Sequence, residues 1–203
     1  GVRFSTEHAP IDFAGLLREL ERVEGIRRIR FTSPHPLHMD DEFLHEFARN
    51  TKVCKSIHIP LQSGSSKILK SMRRGYSKEW FLNRVEKLKS LVPDVGISTD
   101  IIVGFCGESD EDFAHTLDVL EQVRFDTLYS FIYSPRPHTR AFDFDESLSV
   151  PKDIAQKRLS QLQERHREIL REKAQADIGK EYEVLVENVF SDERGCFSEG
   201  RSD

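Results

Sequence analysis

Apolar positions recur at helical spacing from Asp12 to Val23, where Phe13, Leu16, Leu17, Leu20 and Val23 share one stripe and Gly25 follows as a stop signal. An amphipathic helix is expected there. The pattern then shortens to a strand over Arg28 to Thr32, passes through the turn SPHP, and returns to a short helix near Asp41 to Ala48 carrying Phe43, Leu44 and Phe47. From Ser56 the alternation has period two: Ile57, Ile59 and Leu61 face one way, and Ser56, His58, Pro60 and Gln62 the other. This strand runs into SGSS, a loop of small hydrogen-bonding residues, which is the usual setting of a ligand site. Ile68, Leu69 and Met72 predict a short helix, and Ser77 caps a longer one reaching about Leu91 with Phe81, Val85 and Leu88 on one side.

The same strand grammar returns twice. Ile97, Thr99, Ile101 and Val103 oppose Ser98, Asp100, Ile102 and Gly104, while Leu128, Ser130 and Ile132 oppose Tyr129, Phe131 and Tyr133. Between them, Ser109 with Asp110, Glu111 and Asp112 makes a favourable helix start ahead of Phe113, Leu117 and Leu120, because negative charge complements the N-terminal dipole. Pro151 opens a long helix to about Ala176, with Leu159, Leu162, His166 and Ile169 on one stripe and Gly179 at its end. The last stretch alternates around Tyr182, Val184 and Val186 and turns between Ser191 and Gly195, as the first strands of a small β-domain would.

Strands beginning near 28, 56, 97 and 126, each separated by helical segments, have the spacing of repeated strand-helix units in a parallel sheet. The fold class is α/β. Residues 1–178 are expected to form this α/β unit and 179–203 the truncated start of a second domain. Active sites of such sheets and barrels lie at the C-terminal strand ends. The loops Ser33 to His38, Gln62 to Ser66, Gly104 to Ser109 and Ser134 to Thr139 are there, and they hold most of the unusual polar residues.

The chain's 203 residues suffice for a real core. No apolar run approaches the roughly 20 residues of a membrane helix, and no signal-peptide pattern opens the chain, so a soluble, cytoplasmic protein is expected. A net charge of -5 excludes a surface that is basic throughout. Local clusters at Arg27, Arg28 and Arg30, and at Lys67, Lys70, Arg73 and Arg74, are either solvated faces or docking points for a polyanion. Cys54, Cys106 and Cys196 are odd in number and too far apart for a short metal-ligand spacing, which argues against a disulfide framework and a CxxxCxxC cluster motif. Cys54 reads as a small buried hydrophobe.

In this order and spacing, RIRFTSPHP, HIPLQSGS, STDIIVGFCGES and YSFIYSPRP resemble the radical S-adenosylmethionine methylthiotransferases, and GCFSEGRSD resembles the start of their RNA-binding TRAM domain. The resemblance implies that residues 1–178 are an incomplete TIM-like parallel (β/α) barrel of the radical SAM type. It also implies methylthiolation of carbon 2 of an isopentenylated adenosine beside the tRNA anticodon, with a threonylcarbamoylated adenosine or a ribosomal-protein aspartate as sister substrates. S-adenosylmethionine and two 4Fe-4S clusters are the implied cofactors, tRNA the partner, and flavodoxin or ferredoxin the reductant. A zwitterionic, ribose-bearing cofactor calls for hydroxyls, amides and a carboxylate, which Gln62, Ser63, Ser65 and Asp100 offer, with Gly64 and Gly104 permitting close backbone approach. Arg136 fits a cofactor carboxylate, an RNA phosphate or a surface salt bridge; His35 fits a substrate contact or a turn cap. His35 and His38 have no third ligand in view for a metal.

The chain departs from the family where Cys106 replaces a usual proline and where His138, Thr139 and Arg140 replace a Gly-Thr-Pro run. The N-terminal cluster domain and the CxxxCxxC motif are missing as well. The expectation is therefore a central fragment, inactive alone, with no cofactor bound, whose open edge along Arg28 to Thr32 is covered by self-association or by its own ends. Two other readings stand beside this one: His58 and Asp100 as an acid/base pair acting on a small polar substrate, or a non-enzymatic RNA-binding module.

Overall fold

Two short strands, β1 (Phe4–Ser5) and β2 (Pro10–Ile11), pair antiparallel at the start of the computed structural model, which describes residues 4–5, 10–32, 34–137, 146–192 and 195–202. Ser33 and the run His138, Thr139 and Arg140 lie outside the described residues. Helix α1 (Phe13–Arg22) starts where Asp12 accepts a hydrogen bond from the Gly15 amide at 2.7 Å, and α2 (Asp41–Arg49) where Asp40 accepts from the Phe43 amide at 2.8 Å. The chain continues through β3 (Ser56–His58), α3 (Ser66–Ser71), α4 (Lys78–Leu91), β4 (Gly96–Val103), α5 (Asp110–Val123), β5 (Thr127–Ile132) and α6 (Lys152–Ala176). A hairpin of β6 (Val184–Asp192) and β7 (Gly195–Ser202) follows. No helix among the described residues is long and apolar enough to cross a membrane.

Strands β3, β4 and β5 form a parallel sheet in that order, with His58 opposite Ser98 and Asp100 opposite Tyr129. One face is greasy: Ile57, Ile59, Leu61, Ile97, Ile101 and Val103 are buried against Phe81 and Leu88 of α4, Phe113 and Leu120 of α5, and Leu162 and Ile169 of α6. His58, Ser98, Asp100, Ile102, Tyr129 and Phe131 occupy the other and stay partly or fully exposed, as the alternation requires.

The expected strand over Arg28 to Thr32 is reduced to a single parallel bridge between Ile29 and Val53. The Ile29 amide donates to the Lys52 carbonyl (2.7 Å) and the Cys54 amide to the Ile29 carbonyl (3.0 Å), while the Lys52 amide, the next donor back along the partner, is taken by the Asn50 side chain at 3.1 Å. Phe31 does not lose its apolar cover: its ring meets Phe13 edge-on at 5.0 Å and packs against Phe43 and Phe47. Strand β3 is also shorter than its alternation. Pro60 has no amide to give, so Thr99 Oγ donates to the Ile59 carbonyl and accepts from the Leu61 amide where the ladder is interrupted.

The hairpin leaves Val184, Val186, Val189 and Phe190 about half exposed or more. It is tied to the barrel side chains of Arg28, which donates to the Arg201 carbonyl (3.1 Å) and to Glu183 (3.2 Å), and of Arg30, which donates to the Ser202 carbonyl (2.6 Å). Two of the three arginines in that basic cluster are therefore engaged within the chain.

Candidate functional site

A cleft of about 780 Å³ opens at the C-terminal ends of β3, β4 and β5. Three segments converge on it: Gln62 after β3, Asp100 and Ile102 on β4 with Phe105 beyond, and Phe131 to Ser134 with Arg136 at and after the end of β5. The fourth wall is the end of α3. There Arg73 adopts φ +58 and the amides of Arg73 and Arg74 close back onto the carbonyls of Lys70 and Leu69 at 3.0 Å, which turns both arginines into the cleft. The result is one wall with Asp100 as its acid, one with guanidinium groups, and an apolar wall of Ile102, Phe105, Phe131 and Tyr133.

Gln62 carries backbone strain. Its φ is +69, a left-handed conformation uncommon for a non-glycine residue, and it is clamped there by its backbone amide donating to the Asp100 backbone carbonyl (2.8 Å) and its carbonyl accepting from the Ile102 amide (2.9 Å). Asp100 presents Oδ2 at 3.3 Å from His58 Nε2, and the other ring nitrogen of His58 lies 3.0 Å from Ser98 Oγ.

The remaining residues singled out by the sequence stand elsewhere. Ser63 is fully buried and its hydroxyl accepts from the Ser65 amide at 3.2 Å. Ser65 caps α3 and donates to Asp112 at 2.7 Å, while the Gly64 amide donates to Thr116 at 3.0 Å. A side chain at Gly64 would run into the backbone of His115 and Thr116. This loop is thus docked on α5 with Asp112 as its anchor. Burial alone would raise the Asp112 carboxyl, but donors from Lys67, Ser65 and Ser109 outweigh it and hold the group well below the ordinary carboxylate range.

Gly104 has φ +73 and packs so closely on α6 that an added Cβ would lie 2.8 Å from that of Ala155. Its amide donates to Glu108 at 2.7 Å, and Glu108 pairs with Arg158 at 2.8 Å in a site where both are buried. Burial pushes the Glu108 carboxyl up, against the pull of the Gly104 amide and Arg158. His35 caps the turn Pro36–His38, its Nδ1 accepting from the Leu37 amide at 3.3 Å. Burial, then the charges of His38 and Arg74, lower the pKa of His35.

Of the eight residues expected at the site, the cleft brings together Gln62, Asp100 and Arg136. The sequence reading named Arg73 and Arg74 only within a basic cluster, as a solvated face or a docking point for a polyanion, and placed neither them nor the aromatic wall in the cleft. Among the described residues no group of three or more His, Cys, Asp or Glu is placed to hold a metal ion, and Cys54 is buried while Cys106 is half-buried and Cys196 exposed.

The pattern of the Radical SAM superfamily matches residues 4–120. A protein of Helicobacter hepaticus called tRNA-2-methylthio-N(6)-dimethylallyladenosine synthase is 62% identical over 202 residues, covering 100% of this chain and 44% of the relative. One of the same name from Helicobacter pylori is 66% identical over 204 residues, covering 100% of this chain and 46% of the relative. The chain thus spans less than half the length of the curated relatives it matches. Among solved structures, Escherichia coli coproporphyrinogen III oxidase, described as a radical SAM enzyme, superposes with a TM-score of 0.52 at 14% identity, covering 84% of this chain and 41% of that one. At that identity the likeness is one of fold.

Proposed function

Because the chain belongs to the radical SAM superfamily, we propose that it is part of an enzyme that adds a methylthio group to carbon 2 of an N6-dimethylallylated adenosine in tRNA, with the cleft receiving S-adenosylmethionine. The substrate rests on the shared name of relatives that match the whole chain at 62% and 66% identity. The single structural observation in support is the segregated lining of the cleft. An α-amino acid attached to a nucleoside needs an anion partner, a cation partner, a hydrogen-bonding amide and an apolar surface for the purine. Asp100, the arginines, Gln62 and the Phe105/Phe131 wall have those chemistries in one cavity.

Together with a reduced 4Fe-4S cluster, S-adenosylmethionine supplies a carbon radical able to activate an inert C–H bond. The chain's own residues bind and orient. In this reading Arg73, Arg74 or Arg136 takes the cofactor carboxylate in a forked pair, Asp100 accepts from ammonium or ribose hydroxyls, and Gln62 fixes the remaining polar edge. The Ser63–Ser65 loop and Gly104 act from behind, fixing where Gln62 and the segment after β4 stand. Among the described residues no group of His, Cys, Asp or Glu fits a cluster. The hairpin β6–β7 is read as the start of a TRAM-like module facing RNA, tRNA being the partner, a flavodoxin or ferredoxin the electron donor, and the cytoplasm the compartment.

Mass spectrometry of tRNA nucleosides tests the reading. A strain lacking the gene should accumulate the dimethylallylated adenosine without its methylthio group, and the gene carrying Asp100→Ala should restore it poorly. Unchanged methylthiolation in the deletion strain would refute the proposal.

A further inference from the structure

Charge in the cleft is kept apart by a residue that does not line it. Asp100 stands on β4, whereas Arg73 and Arg74 come from the end of α3 and Arg136 from the segment after β5. Among the described residues the Asp100 carboxylate lies 3.3 Å from His58 Nε2 and forms no ion pair with Arg73 or Arg74. The β3/β4 register puts His58 opposite Ser98, so Asp100 is its diagonal neighbour on the same face, the next nearest position a long side chain can reach. The imidazole is itself held. Ser98 Oγ lies 3.0 Å from Nδ1, and the Tyr129 ring lies 5.9 Å away on the β5 side.

A short carboxylate sharing a cavity with guanidinium groups has a competing partner, since a charge-assisted, forked pair with an arginine is the stronger contact for a carboxylate. That pairing would neutralise both walls at once. A partner on the sheet side opposes it. We infer that His58 is a positioning residue: it holds Asp100 on the β4 wall, away from the arginines, and so keeps the cleft a receptor for a zwitterion rather than a self-neutralised pocket. This rests on the reading of the cleft as the nucleoside-cofactor site. His58 acts through Asp100, and its removal matters only while Asp100 carries its carboxylate.

The test is a double-mutant cycle read by calorimetric titration of the full-length gene product with S-adenosylhomocysteine, which keeps the amino-acid zwitterion and ribose and needs no reductant. His58→Leu should weaken binding by about fivefold or more, on the scale of one lost polar contact. His58→Gln, which retains an N–H to offer Asp100, should bind within about twofold of the unaltered protein. In an Asp100→Asn background, His58→Leu should have no further effect, an outcome that general loosening of the sheet would not produce. Equal losses in both backgrounds, or an unaltered affinity in His58→Leu, would overturn the positioning role while leaving the cleft reading intact. No binding by the unaltered protein, or binding indifferent to Asp100→Asn, would overturn the cleft reading and this inference with it.

Discussion

Gly64→Ala separates two reasons for a glycine in the loop after β3. If the glycine exists to let a ligand approach the backbone, alanine should weaken ligand binding and leave the ligand-free protein as stable as before. The structure gives it a different task. An added Cβ would sit 2.7 Å from the His115 carbonyl carbon and closer still to the His115 oxygen and Thr116 Cα, all backbone atoms of α5 that cannot swing aside. Ordinary carbon contacts need about 3.5 to 4.0 Å, so the loop must retreat by about 1 Å. Overpacking of this kind costs about 1 to 3 kcal/mol. Retreat also strains the 3.0 Å bond from the Gly64 amide to buried Thr116, and an orphaned buried donor costs about 1 to 3 kcal/mol more. Against this, alanine restricts the unfolded chain and returns about 0.4 to 1 kcal/mol. The net loss is about 3 kcal/mol, which for a chain of this size lowers the melting temperature by about 6 to 12 °C. Differential scanning calorimetry of the ligand-free protein reads it directly. A melting temperature within about 2 °C of the unaltered protein, the least that 1 kcal/mol produces in a chain of this size, would refute the packing account.

Arg158→Met should cost about 3 to 5 kcal/mol in urea denaturation at neutral pH, since it strands buried Glu108, and a loss under about 1 kcal/mol would contradict the structure. Because burial already holds the Glu108 pKa above its ordinary value, the stability of the folded form is fullest below that ordinary value and declines as pH rises through the raised one; the deficit of the variant should therefore shrink on acidification. Asp112→Asn has the opposite sign: the depressed carboxyl stabilises above its ordinary value of 3.8, and that contribution fades as pH falls toward the lower folded value. A gap of about 1 to 2 kcal/mol at pH 7 should narrow below pH 4, and a gap independent of pH would exclude the Lys67 and Ser65 contacts as its cause. Tyr76, whose hydroxyl donates to the carbonyls of Pro60 (2.9 Å) and Leu61 (3.1 Å), is pushed by burial up to about 12, so its stabilising effect is whole below 10 and lost as pH rises through 12. Spectrophotometric titration should show a tyrosine ionising near 12 that vanishes in Tyr76→Phe, together with a loss of about 1 kcal/mol; its persistence would assign that ionisation to another ring.

Local signals in the sequence were read correctly wherever the deciding chemistry is itself local. Ser77 caps the helix it was expected to cap, Ser109 opens α5 as expected and does so in a reciprocal box with Asp112, and the period-two pattern of Gly96–Val103 reproduces its burial residue by residue. Failures came where a distant side chain decides. The strand at Arg28 to Thr32 keeps one bridge to Val53, and the Lys52 amide that would extend it is taken by the Asn50 side chain. The Glu108–Arg158 pair spans 50 positions and leaves no periodic trace. In the loop after β3, a serine that caps a helix and a serine that binds a ribose have the same composition and spacing. Only the position of α5 shows that Ser63, Gly64 and Ser65 dock the loop while Gln62 reaches the cleft.

The left-handed backbone of Gln62 restricts how this position can drift over generations. Glycine would relieve a conformation that costs other residues about 1 to 2 kcal/mol, but it would remove the amide that reaches the cleft. Asparagine tolerates the conformation better than most residues yet withdraws the amide by one methylene, and a β-branched replacement deepens the strain while contributing no amide. Each single replacement thus loses either reach or relief, and the position sits in a mutational basin without an easy exit. Ser63 next to it makes one short-range bond to the Ser65 amide from a buried pocket, which other small residues can fill. Across descendants of this sequence, position 62 should stay narrow and position 63 wander among small side chains, so adjacent residues of one loop would record different histories.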